Sequence, residues 1–179
     1  VGLGDVSIDD TNYVVVAGER NTYDGPWSDI DEDLDKTNVL AKWINKQDGG
    51  EFSLTFMGYD NSWNSADQIP ERAVSSGLVD ELGSLDTTVG GESDRYSLSA
   101  NWRSGNLAAN AYVMSYSMNL WSNFTYFLDD PDNGDQFEQV DERTVYGGDV
   151  SYWQDHTLFG QRTTTTVGTQ VRIDDIDEV

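Results

Sequence analysis

Apolar and polar residues alternate one by one over most of this chain, and that period of two restricts it to β-strands, whose successive side chains point to opposite faces. From 37 to 45, Val39, Ala41 and Trp43 alternate with polar or differently directed neighbours. From 51 to 59, Phe52, Leu54 and Phe56 do the same. The clearest run is 94–103, where Tyr96, Leu98, Ala100 and Trp102 fall on one face and Arg95, Ser97, Ser99, Asn101 and Arg103 on the other. In 107–126, Tyr112, Met114, Tyr116, Met118 and Leu120 oppose Ser115, Ser117 and Asn119, and this apolar side is expected on the same face as Tyr96 and Leu98. Tyr146, Val150 and Tyr152 mark 143–153; Val167, Val171 and Ile173 oppose Thr166, Gln170 and Arg172 in 162–173. With the continuous run Tyr13–Ala17, these make about seven strands. No sustained helical period occurs, although 66–82 has room for a short turn of helix.

The connections between these runs alternate in length. Short ones fall at 46–50, 104–106 and about 155–161; long ones fall at about 20–36, 60–93 and 127–142. Nothing in a soluble meander forces every long loop to one end. A transmembrane barrel does so, with short turns on the inner side and long loops outside. Acidic residues follow the same division: 22 of the 33 lie in 19–36, 60–95 and 127–142. A charge on the lipid face near the midplane costs ~2–4 kcal/mol, so charge should retreat from the strands. The expected fold is therefore all-β, an antiparallel meander of about seven long strands forming part of a transmembrane β-barrel. The alternative is a soluble carbohydrate-binding or adhesive β-sandwich, which also alternates and also carries polar loops.

Composition removes other classes. The net charge of −23 opposes nucleic acid as a partner, because phosphate recognition needs Lys and Arg. Few aliphatic residues and high charge approach the composition of disorder, but six Trp, nine Tyr and six Phe argue for a folded chain. There is no cysteine, and His156 is the only histidine, so a His-based triad or multi-histidine metal centre has little to build on. His156 beside Asp155 reads as a surface turn.

Three stretches carry a resemblance to a known family. They are 62–76 (Ser-Trp-Asn-Ser-Ala-Asp-Gln-Ile-Pro-Glu-Arg-Ala-Val-Ser-Ser), 83–102 (with Gly90-Gly91-Glu92, Arg95-Tyr96-Ser97-Leu98-Ser99-Ala100 and Trp102) and 122–137, continuing to Glu138, Gln139, Asp141 and Arg143. Together they resemble the barrel of TonB-dependent receptors over roughly residues 12–155. The resemblance implies a segment of a 22-stranded barrel in the outer membrane of a Gram-negative bacterium. Such receptors import ferric siderophores, cobalamin or saccharides. Its implied partners are outer-membrane lipid, a small-molecule ligand, the receptor's plug domain and the TonB energy-coupling complex. No plug domain and no coupling box is found in 1–179, so the whole chain reads as one partial barrel domain. It reads as a transport wall and not as an enzyme; no cofactor is implied.

Candidate ligand-binding residues follow from position. Trp27, Trp63 and Tyr126 lie in or beside long loops, where an aromatic can stack on a sugar or siderophore. Arg95 and Arg103 would face the lumen, lining the path or touching the plug. Trp102, Trp121, Trp153, Tyr112 and Tyr116 are candidates for interfacial aromatic belts. The acidic runs 29–35 and 129–135 suggest calcium, but neither places Gly and Glu where a helix-loop-helix calcium site needs them. In 129–135, Pro131 and Asn133-Gly134 explain a turn without metal, and no metal site is expected.

Overall fold

The computed structural model describes residues 1–179. Eight strands follow one another: β1 (Gly2–Ser7), β2 (Asn12–Tyr23), β3 (Leu34–Gln47), β4 (Gly50–Asn64), β5 (Gly90–Ser104), β6 (Leu107–Ser122), β7 (Phe137–Leu158) and β8 (Gln161–Glu178). One short helix, α1 (Glu71–Ser75), interrupts the β4–β5 connection. All eight strands lie in one antiparallel sheet in chain order. The count is eight and not seven, because Gly2–Ser7 pairs with Tyr13–Gly18 despite showing little alternation of its own. No second sheet stacks on the first, so the sandwich alternative does not describe this chain. The sheet also remains open, with β1 and β8 as free edges.

The strands run further than their apolar patterns. β4 continues through Asp60, Asn61 and Ser62, and β7 begins at Phe137, because backbone pairing does not require greasy side chains at either end. The turns are correspondingly tight: Asp48-Gly49, Gly105-Asn106 and Phe159-Gly160, with positive φ at each glycine. Asp155 and His156 consequently sit in β7, paired with Thr164 and Thr163, and not in the turn expected there. Residues 153–158 extend past the start of β6, whose Leu107 pairs with Tyr152, so the end of β7 pairs only with β8. The long connections 24–33, 65–89 and 123–136 all lie at the opposite end.

Register sorts the side chains into two faces. Directly paired residues share a face. One row reads Val16, Ala41, Phe56, Leu98, Val113, Tyr146 and Ile173 across β2 to β8. The next reads Val14, Trp43, Leu54, Ala100, Ala111, Gly148 and Val171. These two uninterrupted apolar rows define an apolar face. Phe52, Trp102 and Tyr152 flank them toward the tight turns, and Tyr96 lies on the loop side. One row beyond Tyr96 the same face turns acidic, with Asp60, Asp94 and Glu142.

Tyr112, Met114 and Tyr116 are on the other face, contrary to the expectation that they join Tyr96 and Leu98. The Gly105-Asn106 turn pairs Ser104 with Leu107, which sets Tyr112 opposite Ser99 and Met114 opposite Ser97. Ala109, Ala111 and Val113 supply the apolar face of β6 instead. Of the candidate belt aromatics, Trp102 and Trp121 are on the apolar face; Tyr112, Tyr116 and Trp153 are on the polar one.

The apolar face is the more exposed of the two. Leu98 is 43% exposed, Tyr146 47% and Val171 59%, whereas polar-face Ser53 and Val145 are buried. Only Ala73, Val89 and Val145 are buried hydrophobic residues in the whole chain. A conventional core is absent from this layer.

Candidate functional site

The polar face collects the cations. Lys36, Lys42 and Lys46 on β3, Arg95 and Arg103 on β5, Arg143 on β7, and Arg162 and Arg172 on β8 all point to it. That is eight of the ten basic residues, in a chain of net charge −23. Several are already paired: Arg143 with Asp141 at 2.5 Å, Arg172 with Asp174 at 2.7 Å, Lys36 with Glu19 at 3.7 Å and Lys46 with Glu51 at 4.0 Å. Arg95, like Lys42, Arg103 and Arg162, makes no ion pair and donates no side-chain hydrogen bond.

Its surroundings are built by register. Tyr59, Arg95, Tyr116 and Arg143 form one row across β4, β5, β6 and β7. One step down β5, Ser97 lies between Met57 and Met114; one more step, Ser99 lies between Thr55 and Tyr112. Small serines on the middle strand with larger side chains on both neighbours make a groove along β5, with Arg95 at its head. On the β4 side a recess of about 180 Å³ is lined by Ala17, Leu40, Met57, Tyr59 and Arg95, with Asn38 and Glu19, the latter paired with Lys36, at its far side. Asn61, two residues beyond Tyr59, has a buried amide oxygen without a hydrogen-bond partner. Tyr112 lies across Gly147, where a Cβ would collide with its ring, so that tyrosine is held flat against β7.

Arg103 shares this face, but eight residues along the strand put it about 26 Å from Arg95 at ~3.3 Å per residue. It lies over the Trp153 ring, 4.9 Å from the centroid. The two arginines therefore do not act on one ligand group.

The long loops form a cap joined by polar contacts. Asn123 is its hub: its backbone N–H donates to Asp67 (2.6 Å), its side-chain amide donates to Asp86 (2.7 Å), and its side-chain oxygen accepts from the Tyr126 N–H (2.8 Å). Ser28 donates to Asp80 at 2.7 Å and the Ser84 N–H donates to Asp29 at 3.0 Å, tying the first loop to the second. Burial pushes the Asp86 carboxyl up, but hydrogen bonds from Thr88, Asn123 and Gln136 outweigh it and leave Asp86 below its ordinary value. Burial, with Asp67 and Asp86 nearby, raises the Tyr126 phenol.

The acidic run 129–135 folds on itself. Asp135 accepts from the backbone N–H groups of Leu128, Asp129 and Asp130, and Asp130 accepts from those of Asp132 and Asn133. A hydrogen bond from Thr125, together with these backbone donors, holds the Asp135 carboxyl at about 2. Gly134 has φ +92°, as the expected Asn-Gly turn requires. No group of three or more His, Asp or Glu side chains is placed to hold a metal ion.

Tyr126 is part of this scaffold. Its backbone sits at φ +63° and its hydroxyl donates to the Gln68 carbonyl at 2.7 Å. Its ring, with Ala73, Leu78, Leu85, Phe127 and Leu128, lines a cleft of about 610 Å³ between the second and third loops. Trp27 is half-buried in the first loop. Trp63 lies across Gly91 and borders a separate recess with Trp121 and Glu92. The structure thus disperses Trp27, Trp63, which lies at the end of β4, and Tyr126 over separate places. Sequence reasoning missed Tyr59, Tyr116, Met57 and Met114 as neighbours of Arg95. The available signal was the pairing of Ser104 with Leu107 that a two-residue turn imposes.

Comparison with known proteins finds no matching family model, no matching curated protein and no matching solved structure.

Proposed function

We propose that this sheet is a wall segment of an outer-membrane β-barrel of the TonB-dependent receptor type, with the apolar face toward lipid and the polar face toward the lumen. The observation that carries the reading is the apolar belt on the more exposed face. On β5 it runs from Tyr96 to Trp102, about 20 Å along the strand at ~3.3 Å per residue. A barrel's lipid-facing band is ~25 Å tall and is flanked by aromatics at both interfaces. The belt drifts along the sheet, covering Val39–Trp43 on β3 and Tyr146–Tyr152 on β7. Its lower limit moves toward the tight turns, as a level band does on tilted strands.

In this reading the loop cap captures a siderophore, cobalamin or saccharide, and passage follows through a lumen lined by the polar face. The plug and the energy-coupling complex belong to the rest of such a receptor. The segment itself performs no covalent chemistry.

The natural absence of cysteine makes a direct test practical. Single cysteines at Leu98, Ala111 and Val150 sample the belt; those at Ser97, Asn110 and Ser151 sample the opposite face. Each is labelled with a fluorophore after folding into lipid vesicles containing nitroxide-bearing acyl chains. Strong quenching at the first set and weak quenching at the second is expected. Equal quenching on both faces, or a folded monomer that remains in the aqueous fraction, overturns the proposal.

A further inference from the structure

We propose that the groove along β5 is a binding site for a planar monocarboxylate with an apolar ring, anchored by Arg95. The inference rests on the lumen reading for its role in passage, but the binding itself requires only the folded sheet. Three observations carry it. Arg95 has no anionic partner, in contrast to Arg143 and Arg172, and unlike the likewise unpaired Arg103 and Arg162 it has a tyrosine on each neighbouring strand of its row. Guanidinium presents a planar fork that matches a carboxylate with two parallel hydrogen bonds. Tyr59 and Tyr116 flank Arg95 in the same row, and neither hydroxyl makes a hydrogen bond in the sheet. They offer two further donors to the same anion.

The floor below fits a ring. Ser97 is small, and its neighbours Met57 and Met114 stand on either side of it. Thioethers are favourable neighbours of aromatic rings and adapt to their outline. A carboxylate forked on Arg95 therefore places its ring over Ser97 and between two methionines. An amine-bearing ring would instead meet an unpaired cation.

The cap limits the number of charges such a solute can carry. Among residues 24–33, 65–89 and 123–136, Arg72 is the only cation, amid many carboxylates. Arg95 lies five residues below the start of β5, about 16 Å at ~3.3 Å per residue. That exceeds the Debye length of ~8 Å at physiological salt. A monoanion is therefore held at Arg95 with the cap charges largely screened, whereas a polyanion is repelled throughout its approach.

Benzoate and its neutral analogue benzamide are the probes, titrated against the full chain folded in zwitterionic micelles or nanodiscs and followed by NMR. Benzoate is expected to bind saturably, to shift the Arg95 Nε–H resonance, and to bind at least about tenfold more tightly than benzamide. R95M should lower benzoate affinity about tenfold or more, R95K should recover part of it, and M114A should weaken both probes. R162M, remote on the β7–β8 ribbon, should leave the affinity unchanged. If R95M does not fold, the Arg95 resonance in the unmodified chain still decides the matter. Equal binding of benzoate and benzamide, no shift at Arg95, or full affinity in folded R95M overturns the site. Saturable benzoate binding together with equal quenching on both faces would retain the site and remove the membrane wall.

Discussion

Single residues in this sheet act mainly through what they prevent or hold in place. Gly147 gives Tyr112 room to lie flat on β7, and G147A would force that ring into the groove. Overpacking of this kind costs about 1–3 kcal/mol; a matching fall in urea unfolding free energy in micelles is expected, with little change in Y112A/G147A relative to Y112A. Asp135 holds a three-donor backbone turn, and its carboxyl is depressed to about 2 from an ordinary 3.8. A depressed carboxyl stabilises the folded loop fully above its unfolded value and loses that effect as pH falls through the folded one. The third loop should therefore resist pepsin at pH 4 and become cleavable at Phe127 and Leu128 as pH falls from about 4 to about 2. D135A should be cut equally across that range. The sequence made the Asn133-Gly134 turn legible, because few residues adopt its backbone freely. It did not disclose that Asp135 faces backward onto Leu128, because that contact depends on how the loop closes.

At the scale of elements, alternation gave strand identity and the turns gave register. The runs at 94–103, 143–153 and 162–173 carry their polar and apolar sides as expected, because their alternation is unambiguous. β6 went the other way because both of its faces hold apolar residues: Ala109, Ala111 and Val113 on one, Tyr112, Met114 and Tyr116 on the other. Hydrophobicity alone favours the larger side chains, whereas hydrogen-bond register obeys the two-residue turn. A paired substitution tests the proposed facing of the apolar rows toward lipid. L98K should cost about 2–4 kcal/mol in vesicles, while S97K, one residue away, should change stability far less; equal losses would contradict the facing. In the cap, buried Asn123 joins the third loop to the second, and N123A keeps the backbone donor to Asp67, removes one of the donors to Asp86, which retains Thr88 and Gln136, and leaves the Tyr126 N–H without its acceptor. Removing a buried partner of this kind costs about 1–3 kcal/mol. Faster proteolysis of 123–136, with unchanged strand content by circular dichroism, is the expected signature.

For the whole molecule, one layer of eight strands leaves both faces and both edges uncovered. β8 offers an edge of 18 residues, far longer than the strands that proteins in water leave unpaired. Only three buried hydrophobic side chains oppose that liability. In detergent-free buffer the chain should therefore self-associate, and zwitterionic micelles should return it to monomers with native-like strand content, as light scattering after gel filtration would show. A soluble monomer without detergent would require cover that this sheet does not possess. The all-β meander and the clustering of long loops were legible in the sequence because both are local. The eighth strand was not, since Gly2–Ser7 is defined by its pairing with β2 and not by any alternation of its own.

The end of β7 beyond Tyr152 leaves its neighbours behind and continues with β8 as a two-stranded ribbon, tipped by the fully displayed side chain of Phe159. Such a ribbon marks one side of the sheet unequivocally. In the proposed barrel wall, Arg162 is the basic residue nearest this tip, so trypsin confined to the compartment beneath the tight turns should nick the chain there first, while trypsin on the other side should cut first at Arg72, the one basic residue in the long connections. Sidedness could thus be read from which of two bonds is severed in a sealed vesicle.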